Sequence, residues 1–251
     1  MARFAKPRGG LQIGKGLLRP PKLRHVDAGA PCGILFITDL HLRPGGECMV
    51  DYTLNACRDV KPDIVLLGGD MAEYDEGLEL FLSRLRERFP ASHILAVPGN
   101  NDDAVMDGDR DAQMRIYQKY GAHYLLNELY TTQISGRQIE IAGLEDAYKH
   151  EPKPDLFTCG EGAYRILLAH EPIKQNINRD ADLLLFGHTH GGQINVLGAT
   201  CYLLHYENMF VFEHIADTKR VGKSLLLVSR GIGYSKLPIR LGAAGEIHYI
   251  R

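Results

Sequence analysis

Short apolar runs punctuate the first half of the chain: Ile34–Ile37, Ile64–Leu67 and His93–Val97, each running into a polar turn. Runs of this length bounded by turn signals read as strands buried on both faces. Between them apolar positions recur at helical spacing. Glu47–Val60 is one such stretch, broken by Lys61-Pro62-Asp63. Glu76–Phe89 is another, with Leu78, Leu82, Leu85 and Phe89 on one face and Pro90 as its stop. Asp109–Tyr120 is a third, closed by Gly121. Alternating strands and helices joined by short turns predict βαβ units with parallel pairing.

The pattern then changes. Thr131–Ile134 and Gln138–Ala142 read as a hairpin around Ser135-Gly136. Arg165–Ala169 and Leu183–Phe186 read as buried strands with a short helix between them, starting near Pro172. Beyond Gly198, Tyr202–Leu204, Met209–Glu213, Ser224–Val228 and Ile247–Ile250 are short and strand-like. Such a second half predicts another sheet packed on the first.

Composition narrows the class. The chain has 251 residues, 45% hydrophobic and 24% charged, with a formal net charge of −2. This excludes collagen, coiled coil and membrane bundle, and it gives no strong nucleic-acid signal. The first 25 residues differ: Arg3, Lys6, Arg8, Lys15, Arg19, Lys22 and Arg24 stand there without an acidic residue. Removing those seven from 29 leaves 22 basic residues against 31 acidic, a net −9. Residues 1–30 are therefore expected to be a basic, solvated leader, and 31–251 a single domain. Such a leader offers peripheral contact with an anionic membrane. The five cysteines, Cys32, Cys48, Cys57, Cys159 and Cys201, form no C-x-x-C pair, and their number is odd. A reducing, cytoplasmic setting is expected, with peripheral contact at the inner membrane face.

Chemistry concentrates at the turns. Asp39-Leu40-His41, Gly69-Asp70, Gly99-Asn100-Asn101-Asp102, His170 and Gly187-His188-Thr189-His190 each follow an apolar strand. Ligands of α/β sheets bind outside the carboxyl ends of the strands, so five such turns converge on one place. Carboxylate and imidazole without thiolate suit Mn²⁺, Fe or Zn²⁺. Seven ligands exceed the needs of one open catalytic ion and suit a pair bridged by a carboxylate.

In that order the residues resemble the signature of the calcineurin-like metallophosphoesterases: D-x-H, G-D, G-N-H-D/E, H and G-H-x-H. The resemblance spans roughly residues 33–250. Gly191-Gly192-Gln193-Ile194, Ser229-Arg230-Gly231-Ile232-Gly233, Leu237-Pro238-Ile239-Arg240 and Glu246-Ile247 are similar to a bacterial branch that includes UDP-2,3-diacylglucosamine pyrophosphatases. The resemblance implies an αββα sandwich of two mixed sheets in four layers. It also implies that Asp39, His41 and His190 hold one divalent ion, Mn²⁺ above all. Asn100, His170 and His188 would hold a second, and Asp70 would bridge the two. The expected reaction is hydrolysis of a phosphodiester or pyrophosphate, on a small-molecule, nucleotide- or lipid-linked substrate, by metal-activated hydroxide.

One position departs from the pattern. Asn101 stands where the family usually has a histidine that contacts the scissile phosphate, and Asp102 follows in the place of the acidic residue that orients it. An amide donates hydrogen bonds but no titrating proton. General acid catalysis is worth about 10²–10⁴-fold, so leaving groups needing little protonation are expected. Arg230, in a glycine-rich turn after a strand, is expected to bind the phosphate through its planar fork. A structural ion pair is the competing expectation for Arg230. Two other functions compete: a weakened metal-binding scaffold, kept open by Asn101, and a nucleic-acid phosphodiesterase using the leader.

Overall fold

The computed structural model describes residues 12–13, 20–157, 162–178, 180–196, 199–200 and 215–251. In chain order, β1 is Gln12–Ile13, β2 Lys22–Val26, β3 Ile34–Ile37 and α1 Cys48–Ala56. Next come β4 Ile64–Leu67, α2 Asp75–Arg88, β5 His93–Ala96, α3 Arg110–Lys119 and β6 Ala122–Tyr124. A hairpin, β7 Glu128–Ile134 with β8 Arg137–Gly143, leads to β9 Tyr164–Leu168 and β10 Leu183–Phe186. The short β11 Asn195–Val196 and β12 Ala199–Thr200 precede β13 Asp217–Val221 and β14 Ser224–Val228. Finally come β15 Ile239–Arg240 and β16 Glu246–Ile250.

Two mixed six-stranded sheets result. The first has the order β2-β16-β3-β4-β5-β6, the second β13-β14-β10-β9-β8-β7. In the first, β3, β4, β5 and β6 run parallel, and β16 is antiparallel to β3. In the second, β8, β9, β10 and β14 run parallel between the antiparallel edges β7 and β13.

Successive strand residues face opposite sides, and that sorts the apolar runs into layers. Ile34, Phe36, Ile64, Leu66 and Leu95 meet Ile141, Ile166, Leu168, Leu183 and Leu185 between the sheets. Their neighbours Leu35, Ile37, Val65, Leu67 and Ile94 pack outward on Val50, Leu78, Phe81, Leu82, Leu85 and Ile116 of the helices. All are nearly or wholly buried, each worth about 1.5–3 kcal/mol of transfer free energy. The outer face of the second sheet, with Leu167, Leu184, Phe186 and Leu226, is covered by Leu156, Phe157 and Ile177. A three-residue 3-10 turn, Lys174–Asn176, stands where a short helix was expected.

The leader boundary shifts. Lys22–Val26 pairs in parallel with β16 as an edge strand, and Gln12–Ile13 pairs antiparallel with β15, so both segments of the expected leader are strands. Charges on its exposed positions are what an edge strand carries against unwanted pairing. Residues 1–11 and 14–19 of the leader, Cys159, Cys201 and the strands expected at 202–204 and 209–213 lie outside the described residues. Among the described residues no helix is long and apolar enough to cross a membrane.

Register positions the chemistry. Ile37 pairs with Leu67 and Leu67 with Ala96, so Asp39, Asp70 and Asn100 leave the first sheet at one end. Leu168 pairs with Leu185 and Phe186 with Val228, so His170, His188 and Arg230 leave the second sheet similarly.

Candidate metal centre

Close approach of the turns is set first by glycine. Gly69 adopts φ +86°, and a Cβ there would lie 2.6 Å from the Gly99 nitrogen and 2.8 Å from His170 Nδ1. Gly187 leaves no room for a Cβ against Thr38 and Asp39. Neither turn tolerates a side chain.

The ligand residues carry unusual backbone themselves. Asp39, His41, Asp70, His188 and His190 have φ of 53°, 45°, 55°, 67° and 50°. Asp and His enter the left-handed region more readily than most residues, but each such position still costs about 1 kcal/mol or more. Five of them in one place mark a constellation that the surrounding sheets hold by force of packing.

Short distances link all seven expected ligands into one cluster. Asp70 Oδ2 lies 3.3 Å from His41 Nε2 and 3.3 Å from His170 Nε2, one residue from each sheet. His41 Nε2 is 3.1 Å from His190 Nε2, which is 3.5 Å from Asp39 Oδ1. Asn100 Oδ1 lies 3.1 Å from His170 Nε2 and 2.8 Å from His188 Nδ1. Asp39, His41 and His190 thus form one metal-sized group, and Asp39, Asp70 and His170 an overlapping one. Both Asp39 oxygens accept from the His188 backbone N–H, at 3.0 and 3.1 Å, which ties the sheets together.

Outer partners aim the rings. His41 Nδ1 donates to Glu73 at 2.9 Å, and Glu73 is held in turn by Arg43. His170 Nδ1 donates to the Gly68 carbonyl at 2.7 Å. Both bonds put the Nε2 lone pairs inward, as metal-ligating histidines require. His188 turns Nδ1 inward and has Tyr148 Oη 3.3 Å from Nε2. His190 differs: Arg240 donates to its Nδ1 at 2.9 Å, so the neutral ring's proton sits on Nε2.

The protonation tendencies express the same demand for cations. Burial opposes charge on His41 and His170, yet Asp70 outweighs it, helped by Glu73 at His41, and both rings are raised. Asp70 is buried too, but His170 and His41 hold it well below the usual carboxylate range. Burial raises Asp39. Burial lowers His188 to about 3 and, with Arg240, lowers His190 well below its usual value, so both stay neutral. An anion flanked by imidazoles and further carboxylates, nearly all buried, fits two divalent ions through its donor set.

Three expected residues sit differently. Asn101 is exposed at the rim, where its backbone N–H and its Nδ2 donate to Asp70 Oδ1 and Oδ2 at 2.8 and 2.7 Å. Asp102 is buried and does not orient residue 101. Its Oδ2 accepts from the N–H of Gly99 at 2.7 Å and of Asp70 at 3.2 Å, locking two turns together. Burial, with Asp70 adding to it, pushes the Asp102 carboxyl up to about 7. Arg230 is 0% exposed, and its guanidinium pairs with Asp217 at 2.7 and 2.8 Å and with Glu246 at 3.2 Å. The structural ion pair is the arrangement found, and phosphate would have to displace two carboxylates. Sequence reasoning missed Glu73, Arg240 and Tyr148 around the ligand rings. Glu73 stands three residues after Asp70 and Arg240 closes the Leu237-Pro238-Ile239-Arg240 motif, while Tyr148 follows no quoted motif.

Comparisons with known proteins agree with this geometry. The family model described as calcineurin-like phosphoesterase matches residues 33–192. An uncharacterised protein of Bacillus subtilis, YpbG, is 32% identical over 234 residues, covering 88% of this chain and 80% of its own. Phosphodiesterase YaeI of Escherichia coli is 30% identical over 229 residues, covering 88% and 82%. Among solved structures, phosphopantetheinyl hydrolase PptH of Mycobacterium tuberculosis aligns over 83% of this chain and 94% of its own. Its identity of 14% and TM-score of 0.45 are too remote to bear on function.

Proposed function

This chain belongs to the calcineurin-like phosphoesterase family and is a metal-dependent phosphohydrolase; from that premise we propose that it cleaves a phosphodiester or pyrophosphate with two divalent ions, Mn²⁺ first among them. The observation that supports two ions most directly is the placement of Asp70 Oδ2, equally distant from a histidine of each sheet. Asp39, His41 and His190 would hold the first ion, Asn100, His170 and His188 the second, and Asp70 would serve both. Bound there, such a pair supplies an activated water and neutralises phosphoryl charge.

The chain's own groups do the rest. The Gly68 carbonyl and Glu73 fix ring orientation, so little reorganisation accompanies reaction. Asn101, at the rim, has an amide that reaches a phosphoryl oxygen as a donor but carries no titrating proton. Aryl phosphodiesters and pyrophosphates, whose leaving groups need little protonation, are therefore the favoured substrates. That YaeI is named a phosphodiesterase supports the diester.

The test is a substrate panel with metal-stripped protein before and after Mn²⁺ addition. The expected result is Mn²⁺-dependent turnover of aryl phosphodiesters and nucleotide pyrophosphates, with alkyl diesters much slower. Protein that binds two ions and turns over no phosphoester would be a scaffold instead.

A further inference from the structure

We propose that Tyr148 is a catalytic residue of this centre, its phenolic O–H donating a hydrogen bond to the oxygen that departs from phosphorus; this rests on the phosphoesterase reading above. The loop that carries it is built to hold a side chain in place. The N–H groups of Tyr148 and Lys149 both donate to Asp146 Oδ1 at 3.1 Å. Asp146 is wholly buried and accepts from Arg110 at 2.9 Å. The Ala147 N–H donates at 3.2 Å to Glu171, the buried residue that follows His170. Two buried acids thus anchor a loop whose tyrosine is 45% exposed. A merely solvent-facing tyrosine needs no such support.

Its position relative to the ligands gives the hydroxyl a direction. Tyr148 Oη lies 3.3 Å from His188 Nε2, with the rings 5.4 Å apart, while His188 Nδ1 faces Asn100. With Nδ1 given to a cation, the ring proton of His188 sits on Nε2 and donates to the Tyr148 oxygen. The phenolic oxygen is then an acceptor toward the ring. An O–H that accepts one hydrogen bond is also polarised as a donor.

The mouth of the site is bracketed by this loop and the Asn101 turn. Lys149 pairs with Asp103, two residues after Asn101, so the two segments are clasped together. One side of the mouth presents an amide where a proton donor is usual, and the other presents a phenol. In the reaction, water attacks phosphorus as the bond to the leaving oxygen breaks, and that oxygen keeps the electron pair. The Tyr148 O–H stabilises the developing charge, the tyrosine stays protonated, and the leaving group takes its proton from solvent.

The full chain and Tyr148→Phe, both at saturating Mn²⁺, separate this role from simple support of His188. On an alkyl phosphodiester, kcat is expected to fall about 10–100-fold, against less than about threefold on an aryl one. Inorganic phosphate, titrated by calorimetry, should bind several-fold more weakly to the variant. Equal losses on both esters, accompanied by weaker Mn²⁺ binding, would mean that Tyr148 only props the histidine, and the proposal fails. Unchanged kcat on both esters fails it too. If the wild-type chain binds Mn²⁺ but hydrolyses neither ester, the phosphoesterase reading falls separately. Phosphate affinity then decides for Tyr148, and an unchanged value overturns its contact.

Discussion

On the Asp39 side of the cluster, the ring nitrogens that face away from Asp70 meet ions: Glu73 behind His41 and Arg240 behind His190. On the Asn100 side they meet neutral groups, the Gly68 carbonyl behind His170 and the Tyr148 hydroxyl behind His188. A carboxylate raises the basicity of the ring it holds, and a guanidinium opposes it. Affinity for a cation on the first side is thus a balance of opposed charges. On the second side it is set by fixed dipoles. The two ions should bind unequally, and single substitutions should disturb the first side more.

Four substitutions press on this contrast. The largest effect is expected from Asp70→Asn, which weakens the carboxylate both sides share. Hydrolysis should fall by more than about 10³-fold, since several kcal/mol of transition-state stabilisation depend on the ions. Elemental analysis should find both ions depleted; retention of one would show that one side stands alone. Arg230→Met comes next. The stem of Arg230 lies against Gly191, beside His190, so this pair belongs to the charged side. Taking the Arg230 guanidinium from Asp217 and Glu246, with Arg24 and His248 still beside Glu246, should cost about 3 kcal/mol in urea unfolding.

The same pair carries a pH signature. Burial would raise the Glu246 carboxyl, but His248 and Arg230 outweigh it and hold it far below the usual range. A depressed carboxyl contributes stability that is present above its unfolded value of about 4.3 and is lost as pH falls below it. Unfolding midpoints followed from pH 6 to 3 should drop more steeply for the wild type than for Arg230→Met.

Glu73→Gln should weaken one of two Mn²⁺ binding steps by about 10–100-fold, leaving the other nearly in place. Equal shifts of both steps in calorimetry would erase the contrast between the sides. The smallest change is Asn101→His, which adds a titrating donor beside the neutral side. Turnover of an alkyl diester relative to an aryl one should rise about tenfold, the modest end of acid catalysis for a grafted group. An unaltered ratio would show that position 101 does not touch the leaving oxygen.

The sequence made the ligands legible because each follows an uninterrupted apolar run, and apolar runs of that length become central parallel strands. Once Ile34–Ile37 and Ile64–Leu67 are neighbours, the turns after them have one place to go. Edge elements were harder. Lys22–Val26 carries basic charge like a solvated arm, and only its pairing with β16 makes it a strand. Asp217–Val221 is polar for the same reason. The roles of the outer partners were not legible: Arg240 stands in a quoted motif, yet it reaches His190 across fifty residues of chain and no spacing rule connects them. Arg230 left two readings open because a glycine-rich turn is also where phosphate is bound, while the carboxylates that pair with it lie 13 and 16 residues away.

The seam between the sheets carries a mechanical consequence. Asp39 and His41 come from one sheet and His188 and His190 from the other, and Asp70 faces His170 across the same gap. Any ion seated there rivets the two halves at their strand ends. Amide hydrogen exchange near residues 38–41 and 187–190 should therefore slow when Mn²⁺ is added, while the far ends of the same strands keep their rates.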